Sequence, residues 1–138
     1  MPAMDLVGRN LALGGGTVVE DYFALVASDL DQAQGLPVAE RRQVALALLR
    51  DVTATLRGAS GGAAGAAAVD YLRFFALVAI GWMWTRMAAA ARSESSLYQE
   101  KRAVADFFVQ RVLPQVQGLA ASTAAGDESI MALDAAVF

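Results

Sequence analysis

Carboxylates are the main side chains in this sequence with a claim to acid–base chemistry. The chain of 138 residues has no histidine and no cysteine. That removes the commonest general base and metal ligand, along with any thiol nucleophile, disulfide framework or thiolate zinc site. Asp29 and Asp31 form a candidate acidic pair. Two carboxylates do acid–base work when burial and mutual proximity shift their pKa values, and the pattern around these two puts both on a solvent-facing side. Glu94, Glu100 and Glu128 fall near expected helix starts, where a carboxylate complements the positive end of the helix dipole. Asp70 with Arg73, and Arg102 with Asp106, have helical pair spacing; surface pairs of this kind contribute well under ~1 kcal/mol. The glycine cluster Gly58-Ala59-Ser60-Gly61-Gly62 lacks the Lys-Ser/Thr and the preceding strand of a phosphate loop and reads as a flexible connector. No catalytic, cofactor-binding or metal-ligating residue is assigned.

The aromatic residues are the other group with a possible ligand. Phe74, Phe75, Trp82 and Trp84 lie close together and either fill a core or line a cavity for an apolar ligand such as an acyl chain. Arg86 follows Trp82 by one helical turn and is placed to lie over the indole ring.

The elements that must position these groups are helical. The apolar fraction is 57%, and 30 residues are alanine, the best helix former. Residues 1–16 read as an extended lead ending in Gly14-Gly15-Gly16. Thr17-Val18-Val19-Glu20 reads as a capping box opening a first helix to about residue 34. Val19, Tyr22, Phe23, Val26 and Leu30 are on its inner side, with Asp21, Ser28, Asp29 and Asp31 outside. Gly35-Leu36-Pro37 breaks it. A second helix, 37–57, carries Val44, Ala45, Leu48, Leu49, Val52 and Leu56 inward and Arg42, Gln43, Arg50 and Asp51 outward.

The third helix, 64–92, has two apolar faces. Tyr71, Phe74, Phe75, Val78 and Trp82 make one. Leu72, Ala76, Ala79, Met83, Met87 and Ala90 make the other. Without a polar stripe it is expected to be buried all round. Its uncharged stretch, 74–85, spans roughly 18 Å as a helix, short of the ~30 Å hydrocarbon of a bilayer, so no membrane span is expected. Ser93-Glu94-Ser95 ends this helix, and Ser96-Leu97-Tyr98-Gln99 is a second capping box. The fourth helix uses Tyr98, Lys101, Ala105, Phe108, Val112, Val116 and Leu119. Pro114 is expected to break it near 110–114. Gly126 closes the pattern, with a last turn from Asp127-Glu128-Ser129 through Ile130, Met131 and Leu133.

Short connectors between four helices favour an all-α, up-down-up-down four-helix bundle, with residues 1–16 as a lead or linker and 17–138 as the bundle. The net charge of −3 leaves no electrostatic footprint for nucleic acid. Residues 1–16 show no signal-peptide pattern, and the lack of cysteine fits a cytoplasmic chain.

Several segments are more specific than the pattern alone. The runs Asp5-Leu6-Val7-Gly8-Arg9-Asn10-Leu11, Gly81-Trp82-Met83-Trp84-Thr85-Arg86-Met87-Ala88 and Tyr98-Gln99-Glu100-Lys101-Arg102-Ala103-Val104-Ala105-Asp106-Phe107-Phe108 resemble the extra C-terminal domain of a branch of the acyl-CoA dehydrogenases. Arg111-Val112-Leu113-Pro114, Ala125-Gly126 and Ile130-Met131-Ala132-Leu133 extend the resemblance over nearly the whole chain. The stretch 30–67 is the least diagnostic. Asn10 departs from the pattern, which usually has a basic residue there.

The resemblance implies a parent flavoprotein that uses FAD to oxidise an acyl-CoA thioester between Cα and Cβ. It also implies that the catalytic glutamate and the flavin site precede this domain, so no cofactor is expected in this chain. The chain is then a piece of a longer enzyme or a free-standing copy of the accessory domain. Its expected partners are the dehydrogenase body and a second copy. The candidate interface is Phe74, Trp82, Met83, Trp84 and Met87, because a small bundle rarely covers every side of its central helix. The alternative is a free-standing bundle that binds an acyl chain or another small apolar ligand.

Overall fold

The computed structural model describes residues 2–33, 39–90 and 96–132. All elements among these residues are helical. The protein is all-α, as its composition predicts.

The lead is not extended. Residues Pro2–Gly8 form α1, followed by a 3-10 stretch Asn10–Gly16. Ala3 and Leu11 are buried, and α1 lies against the long central helix. The segment read as an extended lead instead brings Leu6 and Val7 onto the core edge. Gly14, Gly15 and Gly16 all have positive φ, a backbone only glycine adopts cheaply, and they turn the chain into α2, Thr17–Gln32. The expected capping box is absent. Gly16 is the N-cap, and the Thr17 hydroxyl donates backwards to the Gly14 carbonyl at 3.0 Å.

α2 buries Val19, Phe23, Val26 and Leu30, the stripe expected from spacing. The Gly35-Leu36-Pro37 break lies outside the described residues. α3, Ala39–Arg57, turns further than its sequence pattern indicated. It buries Arg42, Ala45, Leu46, Leu49, Val52, Thr53 and Leu56, while Val44 is 55% exposed. Wedged between α2, the central helix Gly61–Ala90 and the late helix Val116–Ala124, α3 buries an arc wider than one stripe. Arg42 is drawn inside with it and lines the same small void as Val26, Leu30, Val78 and Trp82. Burial lowers the Arg42 pKa and the Asp106 carboxylate opposes that shift.

α4, Gly61–Ala90, is the longest helix at 30 residues. It starts three residues earlier than its pattern suggested because Ser60 caps it, its hydroxyl accepting the Ala63 N–H at 3.2 Å. α4 touches α1, α2, α3, α5 and α6. One side holds Tyr71, Phe74 and Val78 in the core. The other side is not covered: Val69, Ile80, Met83 and Met87 are exposed. Burial all round is therefore overturned, because the neighbours of α4 occupy only one arc of it. By length and composition α4 is also a helix that could cross a membrane, with 28% of its most apolar window buried.

The fourth helix is broken where Pro114 predicts. α5 covers Ser96–Phe107, a π-helical turn Phe108–Val112 follows, then a 3-10 turn Leu113–Gln115, and α6 runs Val116–Ala124. Proline offers no N–H to the preceding turn. The Leu113 N–H reaches back to the Phe108 carbonyl, the wider spacing of a π turn. The short α7, Glu128–Met131, starts after Asp127. Ser93-Glu94-Ser95 and Leu133 lie outside the described residues. Around α4, the helices α2, α3 and α6 share one core built on Phe23, Leu49, Tyr71 and Phe74.

Candidate functional site

The densest set of polar and aromatic groups joins α2 to the second half of α4. The Trp82 indole N–H donates to Asp29 Oδ2 at 2.8 Å, and the Arg86 Nε lies 3.5 Å from the same oxygen. The Arg86 guanidinium stands 5.5 Å from the Trp82 ring centroid, the cation–π contact that the one-turn spacing predicts. The Trp82 ring meets Tyr22 edge-on at 5.7 Å, and Tyr22 stacks on Phe75 at 5.0 Å. Asp29 is thus not on a free solvent face. It is turned toward α4 because α2 packs against it, and its side chain is only 25% exposed. An oxygen shared by two donors is a clamp between helices rather than a free base. Asp31 is exposed and accepts from Gln43 Nε2 on α3 at 3.2 Å; the pair Asp29 and Asp31 does not converge.

A second polar group lies deep between α3 and α4. The Tyr71 and Thr53 hydroxyls are 2.6 Å apart, and Thr53 donates to the Leu49 carbonyl at 2.7 Å. Tyr71 is therefore the donor to Thr53. Both residues are essentially inaccessible. Burial raises the Tyr71 pKa to about 12, against a smaller opposing effect of the Thr53 bond, and burial likewise raises Tyr22 to about 12. Both phenols stay protonated at neutral pH, and neither faces another acid–base group at bonding distance except Thr53.

Among the described residues, two openings reach the size of a small-ligand site. One, of about 450 Å³, lies between α3 and the broken fourth helix and is floored by Ala45, Val109, Leu113 and Val116, with Glu40 and Arg41 on its rim. The other, of about 350 Å³, is walled by Leu6, Leu11, Val19, Tyr22 and Phe75. Among the described residues no cluster of three potential metal ligands occurs.

The residues expected to form an interface are separated by the fold. Phe74 is wholly buried and belongs to the core, so it presents no surface. Trp82 is held in the Asp29 clamp. Trp84 is half-buried against the core edge. Met83 and Met87 are exposed, at 46% and 37%. Four aromatic residues close in sequence do not line one cavity, because α4 points them in different directions; Phe75 alone of the four lines one of the two ligand-sized openings. Asp70 accepts a hydrogen bond from Ser122 on α6, so it ties two helices. The sequence reading missed the outer residues Val69 and Ile80. Their spacing from Met83 and Met87 was the available signal.

The sequence profile of the family described as Acetyl-CoA dehydrogenase C-terminal like matches residues 22–134, and the chain belongs to that family. No curated protein matches the chain.

Proposed function

We propose that this protein is the C-terminal accessory and oligomerisation domain of a flavin-dependent acyl-CoA dehydrogenase, and that it packs beside a dehydrogenase body that carries the chemistry. The family match over residues 22–134 is the observation that carries this reading. Oxidation of an acyl thioester between Cα and Cβ needs a carboxylate base set against a flavin. The half-buried acid Asp29 is engaged by Trp82 and Arg86, and Asp70 is engaged by Ser122.

The residues present do not suit FAD. The two ligand-sized openings offer apolar walls with few polar groups, Glu40, Arg41 and Gln117 in one and Asn10 and Tyr22 in the other. A pyrophosphate would need several converging N–H donors or cations. The flavin is therefore assigned to the body. The absence of cysteine suits a reducing compartment, and we place the protein in the cytoplasm as a homodimer.

The test is direct. The chain is incubated with FAD and followed in the flavin absorbance bands, then assayed for dye reduction with acyl-CoA substrates. Neither flavin retention nor turnover is expected. Stoichiometric flavin binding, or turnover above the rate of free flavin, overturns the reading. The second reading, a bundle that holds an acyl chain, draws on the apolar 350 Å³ opening beside Tyr22; saturable quenching of tryptophan emission by a long-chain acyl ligand would favour it.

A further inference from the structure

The first two turns of α4 carry no side chain larger than a methyl group. Residues 61–68 are three glycines and five alanines. Glycine is a weak helix former, and the first turn holds no acidic residue. Local help comes from the Ser60 cap on the Ala63 N–H. Helices in proteins draw most of their stability from packing, and methyl groups bury little area. This stretch therefore depends on what the rest of the chain sets against it.

Two distant segments are set against it. α1 lies against α4, and the Met4 Cε is 3.8 Å from the place a Cβ on Gly65 would occupy. α1 itself has seven residues, too few to hold a helix alone. From the other end of the chain, Gly126 turns with φ +72 and Asp127 follows. The Asp127 carboxylate stands where a Cβ on Gly62 would be, so glycine at 62 makes room for it. The acid that α4 lacks in its own first turn thus arrives from far along the sequence, at the positive end of a 30-residue helix. The rest of α4 is anchored separately. Tyr71, Phe74 and Val78 belong to the core, and Asp29 holds Trp82 and Arg86.

We infer that α1 and residues 61–68 form one cooperative unit that opens and closes apart from the core, with the Asp127 carboxylate as its latch. Sub-global units of this kind occur where few apolar side chains are buried. With the latch set, the start of α4 is helical and gives α1 a surface to lie on. With the latch released, the glycine-rich turns lose their helical form and α1 loses its support with them. The two ends of the described chain are thereby coupled through a helix start to which neither belongs.

This inference stands apart from the proposed function, and its test uses the chain alone. Amide hydrogen exchange, read residue by residue, is the measurement. In the unaltered chain, residues 64–68 and the Arg9 amide, which bonds to the Asp5 carbonyl, should show matching protection, below that of residues 74–78. Asp127→Asn removes the charge and spares α7, whose first bonds run to the Asp127 backbone carbonyl. It should speed exchange roughly two- to fivefold at residues 64–68 and at Arg9 together, leaving residues 74–78 unchanged. Met4→Ala should speed the same amides from the other side. Gly62→Ala and Asp127→Asn should not add, because the new methyl already displaces the carboxylate. Additive effects, or exchange at 64–68 that Asp127→Asn leaves unchanged, overturn the latch. A rise at 64–68 without one at Arg9 overturns the cooperative unit. A rise that reaches 74–78 equally means the region opens only with the whole bundle, and overturns it too.

Discussion

Trp82 and Asp29 are joined across two helices by a 2.8 Å bond from the indole N–H to the carboxylate, and Arg86 sits 5.5 Å above the same indole ring. A carboxylate on α2 thereby holds the C-terminal half of α4, the half whose outer face carries Ile80, Met83 and Met87. The clamp fixes the rotation of α4, and the rotation decides which apolar residues face outward.

Removing the clamp should loosen that orientation. Asp29→Ala is expected to cost about 1–2 kcal/mol, since bonds to charged groups contribute about 1.5–3 kcal/mol when well formed and this site is partly open to solvent. Trp82→Phe removes the donor from the other side. A double-mutant cycle in urea denaturation should give a coupling near 1 kcal/mol. Additive losses would show that the bond contributes nothing to stability.

The two buried phenols set an alkaline limit. Tyr22 and Tyr71 are both raised from 10.0 to about 12 by burial. Above pH 10 the unfolded chain releases these protons while the folded chain keeps them, so the unfolded state binds fewer protons and stability falls with rising pH. Their contribution is fully present below pH 10 and is lost as pH rises through about 12. Melting temperatures measured across that window should drop, and Tyr22→Phe with Tyr71→Phe should flatten the decline. An equally steep decline in the double variant would assign it to other groups.

Two glycines should respond in opposite directions to alanine. Gly16 has φ +93, and a Cβ there would run into the Arg57 guanidinium, which donates to the Gly15 carbonyl at 3.0 Å and pairs with Glu20 at 3.4 Å. Gly16→Ala should cost about 1–3 kcal/mol through backbone strain and the displaced arginine. Gly118 lies within α6 with open space at its Cβ position. Gly118→Ala should stabilise by about 0.5–1 kcal/mol. Chemical denaturation of both variants reads the two signs, and a neutral Gly16→Ala would mean that the turn into α2 tolerates rearrangement.

Much of this protein is determined by residue order. Alanine-rich segments with apolar residues every third or fourth position must coil into helices, because that period puts one face together. Pro114 must interrupt the fourth, because it has no N–H to give. The cation–π contact of Arg86 on Trp82 follows from one helical turn. The family is legible in the same way, in runs such as Gly81-Trp82-Met83-Trp84.

Tertiary structure decided the rest. Spacing within one helix cannot say how wide an arc its neighbours cover. Arg42 read as outward and is inside, because α3 is enclosed by α2, α4 and α6. Asp29 read as solvated and is a clamp, because its donors come from residues 53 and 57 positions further along the chain. The lead read as extended and is helical, because Ala3 and Leu11 find a buried place beside the bundle that no local signal announces. Phe74 and Met83 are both apolar residues on one helix, yet only the packing of five other helices against α4 puts the first in the core and leaves the second exposed. Local periodicity sets which residues share a face; what covers that face depends on contacts distant in sequence.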